Sequence, residues 1–178
     1  MSMHIDGKKI TAMYWGGRKI REAWYGGERV FSGKPVEVMP PISGSGWDAR
    51  DWLRSKLEEY GENYQTVQEL PFEIDSRQAT TMREMFRDCS SLTTVPEMDT
   101  SHVTTMRAMF RDCSSLTTVP DMDTSQVTDM TDMFRGCSSL TDGNVRLIGK
   151  RTGVSTVRMI QDSGLTREPF YDSSGQPI

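Results

Sequence analysis

Histidine is nearly absent. The 178-residue chain carries two, His4 and His102, which leaves little for a histidine-based active site or metal centre. Cysteine is scarce too: there are three, none in the C-x-x-C spacing of a zinc site or redox pair. Hydrophobic residues make up 35%, below the roughly 45–50% of ordinary globular chains even allowing for different counting of glycine. A chain this lean is either partly disordered or built as something other than a compact ball. No stretch approaches the ~18 consecutive apolar residues of a membrane span, so no membrane insertion is expected. The opening MSMHIDGKKI lacks the apolar run of a signal peptide, which predicts synthesis in the cytoplasm without that leader. Positive charge is also short, with 21 Lys and Arg against 25 Asp and Glu for a net −4. That argues against a sequence-independent nucleic-acid binder. Methionine is in excess, at 13.

The methionines mark a repeat. The twelve residues of Met85–Pro96, MFRDCSSLTTVP, recur unchanged at Met109–Pro120, and MFRGCSSLT begins the string again at Met133–Thr141. The step is 24 residues: Phe86, Phe110, Phe134; Cys89, Cys113, Cys137; Leu92, Leu116, Leu140. Met98–Met106 (MDTSHVTTM) and Met122–Met130 (MDTSQVTDM) form a second shared block. Degenerate copies lie at Ile74–Met82 (IDSRQATTM) and Met159–Thr166 (MIQDSGLT), the latter one residue shorter with Ser163 in the cysteine place. A period in the twenties that keeps its apolar positions is the signature of stacked coils sharing one core, with atypical coils at the ends. The repeat core is expected to hold Met82, Met106 and Met130 together with the phenylalanine, cysteine and leucine columns.

Within a repeat, the steps of three and four from Val103 through Met106, Met109 and Phe110 to Cys113 predict a short helix with one buried stripe. Asp99, Thr100 and Ser101 are its candidate N-caps. Leu116–Val119 reads as a brief strand ended by Pro120. Strand plus helix per coil is the leucine-rich-repeat plan.

The string MFRDCSSLTTVPDMDTSQVTDM closely resembles the repeat of BspA-like leucine-rich-repeat surface proteins, over roughly Leu70 to Thr141. That family usually reads DTSNVT where this chain has Asp99-Thr-Ser-His102-Val-Thr, Asp123-Thr-Ser-Gln126-Val-Thr and Asp75-Ser-Arg-Gln78-Ala-Thr, so the Asn of that corner is replaced in each copy. The resemblance implies binding and adhesion by a stacked surface, without catalysis.

The N-terminus repeats on ten residues: Gly7, Gly17, Gly27; Lys8, Arg18, Glu28; Ile10, Ile20, Val30. Asp6-Gly7, Gly16-Gly17 and Gly26-Gly27 suit two-residue hairpin turns. Met3–Phe31 therefore reads as an antiparallel β-meander of about four short strands, too small to close a core alone. Its assembly residues are Tyr14, Trp15, Trp24, Tyr25 and Phe31. This decad pattern resembles N-terminal segments of bacteriophage tail and other virion proteins. The resemblance implies a virion component, and phage tail-tip and fibre parts are commonly trimeric.

The fold expected is α+β, an N-terminal antiparallel β-meander followed by a short leucine-rich-repeat-like solenoid. Residues 1–33 form the docking segment, 34–46 a Pro/Gly linker, 47–69 a cap helix and entry, 70–166 the repeats, and 167–178 an extended or frayed tail. The cap helix is read over WDARDWLRSKLEEY with Trp47, Leu53, Leu57 and Tyr60 as a partial stripe, and NVRLIG as a further strand.

Each chemical feature has a plain reading beside a sharper one. The cysteine column is a buried stack of small side chains or, by its regularity, a metal site or disulfide. Asp75, Asp99 and Asp123 cap helices or hold a divalent cation between coils. Glu97 and Asp121 face solvent. Arg87 and Arg111 with Asp88 and Asp112 form a solvated ion-pair face or a ligand patch. Thr94 and Thr118 build an outward hydroxyl row suited to a glycan, a protein or plain water. No nucleophile–base–orienter arrangement or phosphate loop is visible, so catalytic, cofactor and metal residues are all expected to be none. The function expected is a non-enzymatic phage virion protein, a minor tail, tail-tip or fibre component. It would dock on other virion proteins through residues 1–33 and display the repeats to a host-surface glycan or protein, as a homotrimer. The alternatives are a capsid decoration protein and a bacterial surface adhesion module.

Overall fold

The computed structural model describes residues 34–41, 49–149 and 152–178, and the backbone of short strands between residues 4 and 32. These are β1 (His4–Ile5), β2 (Lys8–Lys9), β3 (Tyr14–Trp15), β4 (Arg18–Lys19), β5 (Glu22–Tyr25) and β6 (Glu28–Ser32). They pair antiparallel two by two, with Ile5 opposite Lys8, Trp15 opposite Arg18 and Tyr25 opposite Glu28. The expected meander is therefore corrected: β1–β2, β3–β4 and β5–β6 are separate two-stranded sheets. A two-residue strand carries so few backbone groups on its outer edge that pairing sideways with the next hairpin gains little.

The segment expected as a linker contains strand β7 (Val36–Val38), which pairs in parallel with β8 (Glu73–Asp75). Helix α1 (Ala49–Glu59) follows, with Asp51 in its first turn and Lys56 in its last, the signs its dipole favours. It stops before Gly61, whose φ of +74° suits the left-handed residue after a helix. Leu53 and Leu57 are buried as the stripe requires, together with Ala49 and Trp52, which the stripe did not include. Tyr60 is half-buried, and Trp47 lies outside the described residues.

From Thr80 the chain climbs in coils, and the expected leucine-rich-repeat solenoid of strand plus short helix is corrected. Among the described residues α1 is the one helix, and the stretches read as repeat helices are runs of turns. Two facts explain this. First, alternate N–H groups leave the coil: Met82, Glu84, Phe86 and Asp88 donate to the carbonyls of Thr105, Arg107, Met109 and Arg111 at 2.9–3.0 Å. The N–H groups of Met85, Arg87 and Cys89 close three-residue turns onto Met82, Glu84 and Phe86. The next two coils repeat the scheme, so no i→i−4 ladder can form. Second, each coil holds two left-handed residues four apart: Glu84 and Asp88, Ala108 and Asp112, Asp132 and Gly136, Arg158 and Asp162, with φ between 52° and 76°. Left-handed backbone ends an α-helix but fits the third position of a tight turn.

The strand expected at Leu116–Val119 falls instead beyond Pro120, as β9 (Met122–Asp123). It joins β10 (Leu147–Ile148) and β11 (Phe170–Tyr171) in a parallel sheet of order β11–β10–β9. The tail expected to be frayed thus supplies a strand, with Phe170 buried and a hairpin contact from Tyr171 to Pro177. One continuous core runs from Met39 and α1 to Phe170.

Candidate interaction surface

The columns are built from identical side chains at identical coil positions. Met82, Phe86, Cys89 and Leu92, Met106, Phe110, Cys113 and Leu116, and Met130, Phe134, Cys137 and Leu140 are all buried. The Phe86 and Phe110 rings stack at 5.3 Å with 4° between planes, and Phe110 and Phe134 at 5.5 Å with 1°. The Cys113 and Cys137 thiols donate to the Phe86 and Phe110 carbonyls of the preceding coil at 2.9 Å. Burial pushes the Cys89 and Cys137 thiols up to about 12 and Cys113 well above its ordinary value. The three are free thiols, and a thiol held protonated is a poor nucleophile. Native protein at pH 8 is expected to leave all three unreacted with a thiol reagent, and urea to release all three; fast labelling of even one in the native state would show that the column opens.

Hydroxyls tie coil to coil on the outside. Thr93 donates to Gln68 O and Thr117 to Thr93 O at 3.0 Å, and Thr104 and Thr128 donate to Thr80 O and Thr104 O at 3.1 Å. The residues expected in the ligand row are placed less favourably. Thr94 is half-buried beside a small cavity lined by Lys34, Glu69 and Phe72. Thr118 is exposed, but its hydroxyl donates to Asn144 O at 3.3 Å. Asp75, Asp99 and Asp123 cap turns rather than helices: each carboxylate accepts from the N–H two residues on, of Arg77, Ser101 and Ser125. Among the described residues no group of three His, Cys, Asp or Glu side chains is arranged to hold a metal ion. Exposed His102 sits beside the Ser101 hydroxyl, 3.0 Å away.

The charged residues are arranged by the left-handed corners. Arg50 of α1 reaches Glu84 at 3.3 Å and Asp88 at 3.0 Å, and Arg87 binds Glu84 at 2.9 Å. Arg111 pairs with Asp112 at 3.1 Å. Arg87 and Arg111 are therefore both half-buried and engaged within the chain. At the far end Arg158 grips Asp132 through two bonds, 2.8 and 3.0 Å, while the Asp132 side chain is 3% exposed. Sequence reading missed Glu84, Asp132, Arg158 and Arg50. Their coil position holds Glu84, Ala108, Asp132 and Arg158 in turn, so no residue type recurs to mark it.

The Arg158 guanidinium holds the Asp132 carboxyl below its usual value of 3.8. A depressed carboxylate stabilises the fold above its unfolded pKa, and that contribution fades as pH falls through the folded pKa. Arg158→Gln is therefore expected to lower stability to urea at pH 7 and to narrow that deficit below about pH 4. An equal deficit at pH 7 and pH 3 would remove the pair as its cause.

The docking residues Tyr14, Trp15, Trp24, Tyr25 and Phe31 lie on β3, β5 and β6, but their side chains fall outside the described residues. Among the described residues no helix is long and apolar enough to cross a membrane. A family model described as "Mycoplasma protein of unknown function, DUF285" matches residues 55–162, more than half of the chain. The chain belongs to the DUF285 family. No curated protein and no solved structure matches it. The DUF285 region begins inside α1 and ends at Asp162, the second left-handed corner of the last coil, so it takes in every coil with the paired left-handed corners.

Proposed function

We propose that this DUF285 chain is a non-enzymatic structural protein of a bacteriophage virion. It docks on other virion proteins through residues 1–33 and presents its coils to a host-surface glycan or protein. The observation that carries the reading is the contrast between the two parts. Three unjoined antiparallel strand pairs, each below the size that holds itself together, precede a region with one continuous core. Strand pairs of that size gain stability by packing on a partner, and a homotrimer axis or a neighbouring virion protein supplies one. The resemblance of the ten-residue pattern to phage virion segments points the same way.

The test is incorporation. A tagged full chain, produced during infection by the phage that encodes it, is expected to co-purify with particles, and a chain beginning at residue 46 is not. Light scattering is expected to give three copies for the full chain and one for the shortened chain. A tagged chain absent from purified particles would sink the virion reading.

The family description favours a second reading, because it names proteins of Mycoplasma. In that reading the chain is a bacterial surface adhesion module, and the coils alone would bind envelope glycan or protein without residues 1–33.

A further inference from the structure

The ends of the coil column are finished unequally. At its start, α1 lies over the first coil, with Trp52, Leu53 and Leu57 buried and Arg50 bonded to both left-handed corners, Glu84 and Asp88. At its end the tail finishes one side: Ile178 N–H donates to Phe170 O at 3.1 Å and Asp172 N–H to Gln176 O at 2.8 Å, along the outer edge of β11. The turn side has no such cover. In the preceding coil Met130, Asp132, Phe134 and Gly136 donate their N–H groups to Ser155, Val157, Met159 and Gln161 at 2.8–3.0 Å. The equivalent groups one coil later belong to Thr156, Arg158, Ile160 and Asp162, and among the described residues none of these N–H groups donates to anything.

The outward backbone groups of that edge are donors. The carbonyls of Val157, Met159 and Gln161 accept from the coil before, and those of Thr156, Arg158 and Ile160 accept from turns within their own coil. Left-handed backbone at Arg158 and Asp162, φ 53° and 57°, aims the N–H groups outward together, as it does at Asp132 and Gly136. Apolar surface accompanies them: Val157 is 59% exposed, and Ile160, in the phenylalanine position, is only partly covered.

We propose that the Thr156–Asp162 edge binds a turn segment of the same repeat type from another polypeptide, which supplies a row of backbone carbonyls and an apolar side chain over Ile160. The polarity selects this occupant. A second copy meeting the edge symmetrically would set donor against donor. A second copy stacking head to tail would have to seat on the first coil, where α1 is already held through Arg50 to Glu84 and Asp88. Among the described residues, every filled edge of this kind is filled by the alternate carbonyls of a following coil. Exposed backbone donors paired by a second chain are a general mode of recognition.

The probe is a synthetic peptide with the sequence of residues 104–127, which carries the carbonyls of Thr105, Arg107, Met109 and Arg111. Titrated into isotope-labelled full chain, it is expected to shift the amide signals of Thr156, Arg158, Ile160 and Asp162 saturably. It is also expected to slow their exchange with solvent by about tenfold or more, while a scrambled peptide does neither. Val157→Asp, at an exposed position, is expected to abolish the shifts and leave the spectrum of the Met82–Gly136 coils unchanged. No shift, equal shifts with the scrambled peptide, undiminished binding by Val157→Asp, or four amides already protected in the free chain would each overturn the proposal.

Discussion

Phe110→Ala is expected to destabilise the folded chain by about 4 kcal/mol, the middle of the range for emptying a buried aromatic site. Phe110 is fully buried and is the central ring of its column, in near-parallel contact with Phe86 on one side and Phe134 on the other. Removing it costs transfer free energy and leaves a void between two coils held by backbone bonds that cannot close over it. Phe110→Leu keeps most of the volume and is expected to cost about 1 kcal/mol. Urea unfolding followed by far-ultraviolet circular dichroism reads both. A loss below about 1.5 kcal/mol for the alanine variant would mean that the coils collapse onto one another and that the column is loosely packed.

Gly164→Ala is the second large effect, expected at about 3 kcal/mol or more because the obstacle is backbone. A Cβ at this position would lie 2.0 Å from the Leu140 carbonyl oxygen and 2.8 Å from that of Ser138. The crowding follows from sequence. Earlier coils place Ser-Ser between cysteine and leucine, and the last one has Gly164 alone between Ser163 and Leu165. One residue fewer draws the chain against the coil beneath, where Gly164 N–H donates to Cys137 O at 3.1 Å. Gly153→Ala is the control, since nothing lies within 4 Å of its Cβ position, although its φ of +79° carries a left-handed penalty of about 1 kcal/mol. If both variants lost equal stability, conformation and not crowding would explain Gly164.

The sequence revealed which residues share a column but not the backbone that puts them there. Twelve identical residues at a fixed step make the Phe86, Phe110 and Phe134 alignment legible without any structural knowledge. The helix reading of Val103–Cys113 failed for a physical reason. A run of tight turns closing every three residues brings apolar side chains inward at spacings of three and four, the same spacing an α-helix gives. What separates the two is the sign of φ at Ala108 and Asp112, and alanine carries no mark of left-handed backbone. Gly136, in the place of Asp88 and Asp112, was the one visible hint. The strand pairs followed from Asp6-Gly7, Gly16-Gly17 and Gly26-Gly27 because turn chemistry is local. Whether hairpins join into one sheet depends on edge contacts that composition does not encode. The charged face was legible in part: Arg111 pairs with its neighbour Asp112, whereas the bond from Arg87 to Glu84 depends on a corner that no recurring residue marks.

The unlike residues at the first left-handed corner have a kinetic consequence. With Met85–Pro96 and Met109–Pro120 identical, a nascent chain that slipped by one whole coil would bury the same phenylalanine, cysteine and leucine, and its columns could not register the error. Position 84 can. If α1 settled on the second coil, Arg50 would meet Ala108 in place of Glu84 and would lose one of its two carboxylates. At the other end, the same one-coil slip would set Arg158 against Ala108 in place of the Asp132 carboxylate that it clasps. The irregular corner thus serves as a page number in a book of repeated pages, penalising misaligned traps during folding while costing the native columns nothing.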